Sequence, residues 1–470
     1  MWDFSTDPEF QAKLDWMDTF VREEVEPLDH LTHQDEHTVY APLSPELAKI
    51  VRPLQDKVRE QGLWACHLGP ELGGQGYGQV KLALINEILG RTAWGPIVFG
   101  CQAPDTGNAE ILAMFGTDEQ KQRYLQPLLD GEIFSAFSMT EPHGGADPRL
   151  FRTLAVQDGD DWIINGEKYF TSNARNASFF IIMAVTDPDA GHRERMSMFL
   201  VPAETPGIER VRETGMIGDP LGVGNHPHMR YTDVRVGPDA LLGERGKAFH
   251  IAQARLAGGR LHHAMRTIGF AKRAFDMHCE RALSRRTFSG PLADNPVVRA
   301  GIADSYIQLE QFRLLVLHAA WQMDTHGPVA AMAHVSACKV AMARVAHDIV
   351  ERAIHLHGAL GASNETPLAR LWQTVPTLGL MDGPTEVHQD VIARRVLGGY
   401  SPALGNWPTQ FLPDLTAAAR ERYAEPEPAL SPPTCAECGV DARIWAVCVR
   451  VTHIRQQAAL RRRCGARIGR

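Results

Sequence analysis

The sequence lacks any uninterrupted apolar run long enough to cross a bilayer, and its first ten residues, MWDFSTDPEF, are acidic. A secretory signal needs a basic flank ahead of an apolar core, so we expect neither a signal peptide nor a membrane span. Basic residues are also outnumbered, since the formal net charge is −8. That balance argues against a general nucleic-acid binder, although small anionic ligands could still meet local basic residues.

Cysteines are few, and four of the eight are scattered singly at Cys66, Cys101, Cys279 and Cys338. Isolated cysteines are typical of a reduced compartment, which predicts a cytoplasmic protein. The other four lie in the last 36 residues, where Cys435-x-x-Cys438 suggests zinc. No second ligand pair follows at the usual spacing, so we expect no metal site.

The 470 residues are enough for two or three domains around a sizeable core. Apolar residues at three- and four-residue spacing predict helices over 1–135. Short β-rich runs separated by Gly, Asn, Asp and Pro predict an antiparallel barrel or sandwich over 136–245. Long helical patterns return over 246–400 and predict a helical bundle. The composition of 401–470 predicts a tail that is disordered or under no selection.

Three stretches carry residues suited to chemistry. AFSMTEPHGGADP (136–148) and FTSN (170–173) combine Ser/Thr-rich strand ends with a glycine turn, so they either offer polar groups to a planar ligand or simply connect two domains. LMDGPTEVHQDVIARR (380–395) places Asp382 before a helix. Asp-Gly-Pro at that position suits a helix cap, and it also suits an exposed base.

Several blocks resemble the acyl-CoA dehydrogenase family in order and spacing over residues 5–398. The matching blocks are APDTGNAEILAMFGTDEQKQRYLQPLLDGE (103–132), FSMTEP (137–142), NGEKYFTSNA (165–174), YTDVRV (231–236), RRTF (285–288) and HLHGALGA (355–362). RLAGGRLHHAMRTIG (255–269) and DGPTEVH (382–388) resemble one branch. Larger members of that branch carry a fused phosphotransferase-like domain, which these 470 residues lack.

The resemblance implies an α+β multidomain protein with a helical N-terminal domain, a central β-domain and a C-terminal four-helix bundle. It implies bound FAD, shared between subunits of a homodimer or homotetramer. The residues that it places at FAD are Phe137, Met139, Thr140, Phe170, Thr171, Ser172, Pro384 and Glu386, with Arg286, His355, Gly358 and Ala359 reaching a neighbour's FAD.

At Asp382 the resemblance implies a base that removes the α-proton of an acyl-CoA. The family commonly has glutamate there, and the resembling branch has aspartate. The Asp382 N–H is one of the family's two donors to the thioester carbonyl. Substrate contacts are implied at Ala146, Arg260, Asp382 and Gly383, whereas the adjacent His262 and His263 are expected to pack rather than react.

The resemblance further implies electron transfer to an electron-transfer flavoprotein and a place in fatty acid β-oxidation. Two other functions stay open. One is a different flavoenzyme on the same fold, such as an acyl-CoA oxidase or a monooxygenase, which rapid reoxidation of the reduced flavin by air would reveal. The other is a non-catalytic acyl-CoA-binding or protein-binding homologue, which a colourless purified protein would indicate.

Overall fold

The computed structural model describes residues 6–32, 41–70 and 74–424. The chain divides into two units, Met1–Tyr400 and Ser401–Arg470. The first unit contains a helical N-terminal part, a β-domain and a C-terminal helical part, in the order that the sequence predicts.

Helices form the N-terminal part. α1 begins where Asp7 accepts the Phe10 N–H at 2.9 Å and Pro8 occupies the first turn, an arrangement that satisfies a free helix-end donor. The helices are α1 Pro8–Phe20, extended by a π-helical turn at Val21–Val25, α2 Leu28–Leu31, α3 Pro45–Glu60, α4 Gly78–Leu89, α5 Gly95–Val98, α6 Asp105–Phe115, α7 Asp118–Gln120 and α8 Gln126–Asp130.

The β-domain is one seven-stranded sheet. Its strands are β1 Ser135–Ser138, β2 Leu154–Asp158, β3 Asp161–Lys168, β4 Phe179–Val185, β5 Met196–Pro202, β6 Ile208–Arg212 and β7 His228–Val236. The spatial order is β1-β4-β2-β3-β7-β6, with β5 also paired to β4. Four pairings are antiparallel, as predicted, but β1 and β2 both pair with β4 in parallel.

β4 is buried along its whole length because both faces of the sheet are covered. Phe179 and Ile181 join a core with α6 and the first turns of the helix that follows the sheet, α9 (Ala248–Ser284). Phe180 and Ile182 point the other way, into a core with Trp162 that the curled sheet encloses. The alternation of side chains along a strand thus gives the β-domain two cores.

The C-terminal part is a helical bundle of α9 Ala248–Ser284, α10 Pro296–His357, α11 Leu368–Leu378 and α12 Thr385–Leu397. A short hairpin, β8 Arg286–Thr287 and β9 Gly290–Pro291, joins α9 to α10. α10 bends at Gly327, where φ is 79° and Pro328 follows, so it contributes two segments to this bundle. One continuous core is shared with α1, α3 and α4.

The bend in α10 also holds the N-terminal part. Asp324, just before it, accepts the backbone N–H groups of Gln79 (2.7 Å) and Val80 (2.9 Å) at the start of α4. A side chain from a distant helix therefore caps α4, which has no capping side chain of its own at Tyr77.

One helical stretch, Pro296–Leu360, is long and apolar enough to cross a membrane by length and composition alone. It is α10 with its final turn, and Val316, Leu317, Ala319 and Ala320 are among its side chains in the core.

In the second unit, helix α13 (Leu412–Arg422) has no buried residue. The Cys435-x-x-Cys438 stretch and the rest of the predicted tail from residue 425 onward lie outside the described residues.

Candidate active site

The two Ser/Thr-rich segments lie side by side at the edge of the β-domain. The Tyr169 N–H donates to the Thr140 carbonyl at 2.9 Å, and the Ser138 and Thr171 hydroxyls are 3.2 Å apart. Ser138 also bonds the Tyr231 hydroxyl at 2.7 Å. Stretches that are 30 residues apart in sequence therefore form one polar edge.

A buried ion pair fixes this edge from behind. The Lys168 ammonium donates to the Met139 carbonyl at 2.8 Å and to Glu141 at 3.0 Å. Glu141 in turn accepts the Arg152 and Thr153 N–H groups. Burial lowers the pKa of Lys168 to about 8, with the Glu141 charge opposing that shift. A buried ion pair whose other hydrogen-bonding atoms also have partners favours one geometry. The Lys168–Glu141 pair therefore holds the polar edge in one conformation.

The groups left facing outward suit a flat polar ligand. Phe170 adopts a left-handed conformation, with φ at 57°, and the residue is 47% exposed. Among the described residues the Thr140 hydroxyl has no protein partner. Ser172 bonds the ring of His226 at 2.7 Å. Thr171 differs, because it is buried and its hydroxyl, N–H and carbonyl all have protein partners, so it holds the edge together.

Asp382 does not cap the helix that follows it. The N-cap of α12 is Pro384, which makes no side-chain capping bond. Asp382 itself adopts a left-handed conformation (φ 55°), followed by Gly383 at φ 104°. Aspartate tolerates this region better than most residues, yet it remains costly there, and such strain clusters at functional sites. The capping interpretation of Asp382 is therefore wrong.

The Asp382 backbone is held from two sides. Arg260 donates to its carbonyl at 2.9 Å, and His388 donates from Nε2 at 3.3 Å. The Ser336 hydroxyl lies 3.2 Å from His388 Nδ1. With the ring proton on Nε2, Nδ1 accepts from this hydroxyl while Nε2 donates to the Asp382 carbonyl. Burial lowers the pKa of His388 to about 4, so its ring is neutral. In the described part of the chain the Asp382 N–H has no protein acceptor, which leaves it for a ligand.

The Asp382 side chain is 17% exposed and is surrounded by basic side chains. His263 Nε2 is 3.5 Å from Oδ2, and burial lowers the pKa of His263 to about 4, so the ring is neutral at pH 7. Lys339, whose ammonium donates to the Leu378 carbonyl at 2.5 Å, has its pKa lowered to about 8 by burial. The Asp382 charge opposes both shifts.

Two successive glycines in α9 make room for two carboxylates. A Cβ on Gly259 would lie 3.2 Å from the Asp382 carboxylate, and one on Gly258 would lie 2.8 Å from Glu110 Oε2. Glycine inside a helix costs about 1 kcal/mol relative to alanine. The Gly258–Gly259 pair thus marks the wall against which Asp382 and Glu110 both lie.

The other predicted site residues are not brought to this cluster within one chain. Arg286 is exposed on the β8–β9 hairpin, and the His355 side chain is 76% exposed beside Glu351. Ala146 and Glu386 are also exposed, as are Gly358 and Ala359. Over the described ranges no hydrogen bond or ion pair joins Arg286 or His355 to Asp382.

Sequence reasoning missed four side chains of this cluster: Glu110, Arg255, Lys339 and His388. They lie on α6, α9, α10 and α12, far apart in the sequence. Glu110, Arg255 and His388 fall inside blocks that resemble the family, but the sequence alone assigned none of the four a role at the site. It also predicted only packing for His263. The one local signal was the glycine pair inside a long helical pattern, since such glycines usually have a packing or functional reason.

Comparison with known proteins covers most of the chain. Models of the N-terminal, middle and C-terminal domains of acyl-CoA dehydrogenase match residues 7–132, 136–232 and 246–397.

The probable acyl-CoA dehydrogenase FadE2 of Mycobacterium tuberculosis is 42% identical over 402 residues, which cover 84% of this chain and 93% of that protein. Acyl-CoA dehydrogenase family member 11 of Rattus norvegicus is 39% identical over 353 residues, 74% of this chain and 45% of that protein. The chain therefore spans less than half the length of that relative. A Mycobacterium abscessus structure, provisionally described as an acyl-CoA dehydrogenase, superimposes with a TM-score of 0.78 at 40% identity, over 84% of this chain and 100% of that one.

Proposed function

Because the chain belongs to the acyl-CoA dehydrogenase family, whose members are oxidoreductases, we propose that it converts an acyl-CoA thioester to the trans-2-enoyl-CoA with FAD as cofactor. The observation that carries this proposal is the Asp382 loop. It presents a carboxylate and a backbone N–H without a protein acceptor in one partly buried place, beside the basic side chains of Arg260, His263, Lys339 and His388.

Proton removal is the part of the reaction that this chain's own residues perform. The Asp382 carboxylate takes the α-proton, while its N–H donates to the thioester carbonyl, on which negative charge develops. Arg260 and His388 fix the carbonyl of the same residue, so the base and the donor keep one relative position. FAD, when bound, supplies the acceptor for the β-hydride.

The polar edge of the β-domain fits the ring of FAD. We assign its contacts to Phe137, Met139, Thr140, Phe170 and Ser172, with Thr171 holding the segment. The free Thr140 hydroxyl and the exposed Phe170 ring support this assignment. Arg286, His355, Gly358 and Ala359 then serve the FAD of a neighbouring subunit in a homodimer or homotetramer, which accounts for their exposure here.

The finer assignments rest on resemblance. From the Asp-Gly-Pro-x-Glu-Val-His motif (382–388) we propose that the chain is related to the branch with fused phosphotransferase-like members, and its 39% identity to acyl-CoA dehydrogenase family member 11 supports this proposal. An electron-transfer flavoprotein is the proposed electron acceptor and β-oxidation the proposed process. The free thiols of Cys66, Cys101, Cys279 and Cys338 support a cytoplasmic location.

The test is anaerobic bleaching of the purified yellow protein by straight, branched and hydroxylated acyl-CoAs of several lengths. We expect at least one thioester to bleach the flavin, and the product to be the trans-2-enoyl-CoA. Air should then reoxidise the flavin slowly. Rapid reoxidation would instead show an oxidase or a monooxygenase, and a colourless protein that takes up no FAD would show a binding homologue.

A further inference from the structure

One face of α9 meets a single oxygen of the Asp382 carboxylate. Gly259 and His263 are four residues apart in α9, so they are neighbours on the same side of the helix. His263 Nε2 is 3.5 Å from Asp382 Oδ2, and a Cβ added to Gly259 would lie 3.2 Å from the same oxygen. The glycine therefore lets the carboxylate come close enough to α9 to meet the histidine ring.

The other basic side chains around the loop do not bond this carboxylate. Arg260 and His388 bond the main-chain carbonyl of Asp382, and Lys339 donates to the Leu378 carbonyl. Within the described ranges, the contact with His263 is the one ion-pair contact that the carboxylate makes, and it is made through Oδ2. Oδ1 is therefore the oxygen that remains available to a substrate.

The His263 ring is suited to donate a hydrogen bond. Burial lowers its pKa to about 4, so the neutral ring carries a single N–H. A carboxylate that is to take up a proton can only accept hydrogen bonds, which requires the ring proton on Nε2. The 3.5 Å contact is longer than an ordinary hydrogen bond, but catalytic hydrogen bonds often shorten when substrate binds.

The position of the ring is set by the packing of α9. Leu261, Ala264 and Met265, on either side of His263 in the sequence, are all in the core shared with the N-terminal helices. The Thr267 hydroxyl also donates to the His263 carbonyl at 2.8 Å. A donor on a packed helix is placed more precisely than one on a loop.

We infer that His263 is a positioning residue for proton abstraction: it holds Asp382 Oδ2 through Nε2–H and leaves Oδ1 to take the α-proton. This inference rests on the proposed function, with Asp382 as the base. The Cα–H bond of the acyl-CoA breaks and an Oδ1–H bond forms, while the electron pair left on Cα delocalises onto the thioester carbonyl. The terminal torsion of an aspartate is broad, so a bond to one oxygen selects the orientation that the reaction needs.

The test is rapid-mixing reduction of the flavin in the holoenzyme by the acyl-CoA that bleaches the parent fastest. His263→Leu removes the donor and should slow reduction by about tenfold, since misplacement by about 1 Å costs on the order of a hundredfold. The acyl-CoA concentration that gives half the maximal rate should not change, because His263 acts on Asp382 and not on the substrate. His263→Gln restores an N–H donor and should recover most of the rate.

His262→Leu is the matched control, since it makes the same change at the preceding residue of α9. Among the described residues, His262 Nε2 is buried without a hydrogen-bond partner, and no ion pair joins this ring to Asp382. A buried polar atom without a partner is costly, so leucine should leave both the fold and the reduction rate unchanged. If His263→Leu fails to hold FAD, His263→Phe keeps a flat ring without a donor and carries the same expectation.

A double-mutant cycle separates positioning from packing. Asp382→Asn removes the proton acceptor, so adding His263→Leu to it should change the residual rate by no more than about twofold. Three results would overturn the inference: an equal fall in both backgrounds, a parent-like rate in His263→Leu, or a His263→Gln variant as slow as His263→Leu.

Asp382→Asn alone distinguishes this inference from the proposed function. If Asp382→Asn is slower by orders of magnitude while His263→Leu reduces its flavin like the parent, the role of His263 is wrong and the base stands. If Asp382→Asn reduces its flavin at near the parent rate, the proposed function fails and the inference fails with it.

Discussion

At the scale of single residues, Asp382 shows how one position can supply two functions. Its left-handed backbone turns the carbonyl towards Arg260 and His388 and leaves the N–H without a protein acceptor. Its side chain meanwhile lies 3.5 Å from the neutral His263. In the proposed reaction, the base and the oxyanion donor therefore belong to the same residue, and one left-handed backbone conformation serves both roles.

Gly259 offers a residue-scale test of this crowding. Gly259→Ala should raise helix stability by about 1 kcal/mol, but the new methyl must push the Asp382 carboxylate back by a few tenths of an ångström. Because misplacement by about 1 Å costs on the order of a hundredfold, we expect flavin reduction to slow by about tenfold.

Gly301→Ala is the matched control for Gly259→Ala. It lies inside α10, where a Cβ would make only ordinary contacts at 3.8 Å with Arg352 and His278. It should give the same gain in thermal midpoint with an unchanged reduction rate. Equal reduction rates for the two variants would show that Asp382 is not confined by α9.

At the scale of elements, α4 depends on a distant side chain for its start. Asp324 accepts two of its first N–H groups, at 2.7 and 2.9 Å. Asp324→Ala should therefore lower the free energy of unfolding by about 1 kcal/mol. Asp324→Asn should lose part of that, because its amide oxygen can accept one of the two N–H groups and its NH2 group can accept neither. Chemical denaturation decides this, and an Asn variant as stable as the parent would contradict a cap made by both carboxylate oxygens.

Elements also show where the sequence suffices and where it does not. The helix–sheet–helix order and the Asp7–Pro8 start of α1 could be predicted, because periodicity and capping are local. The parallel pairing of β1 and β2 with β4 could not be predicted, since pairing depends on connections far along the chain. Exclusion of the helix cap at Asp382 required its φ angle, which no residue pattern states.

The active-site cluster was only partly predictable for the same reason. Asp382 and Arg260 lie in motifs that resemble a family. Glu110 and Arg255 also lie in such blocks, but their proximity comes from the packing of α6 on α9, 145 residues apart in the sequence. The one sign of that packing in the sequence is the glycine at position 258, which leaves room for Glu110.

At the scale of the whole molecule, the proposed site needs a second subunit. Phe288, at the tip of the β8–β9 hairpin beside Arg286, is fully exposed in one chain (109%). Phe288→Asp should therefore leave the fold intact but convert an oligomer to a smaller species and release FAD, as light scattering and flavin absorbance would show.

Leu221→Asp is the control for Phe288→Asp, because Leu221 is equally exposed (105%) in a loop of the β-domain. It should change neither mass nor flavin content. A parent protein that is monomeric and holds stoichiometric FAD would contradict the shared site.

We propose that Asp382 removes the substrate proton, and one measurement tests that claim most directly. Rapid-mixing reduction of the flavin by the best acyl-CoA is compared for the parent and Asp382→Asn. Asparagine has nearly the same shape and tolerates the left-handed backbone, so FAD and substrate binding should persist. The account predicts that reduction slows by orders of magnitude while substrate still perturbs the flavin spectrum. Reduction of the Asn variant at near the parent rate would contradict it.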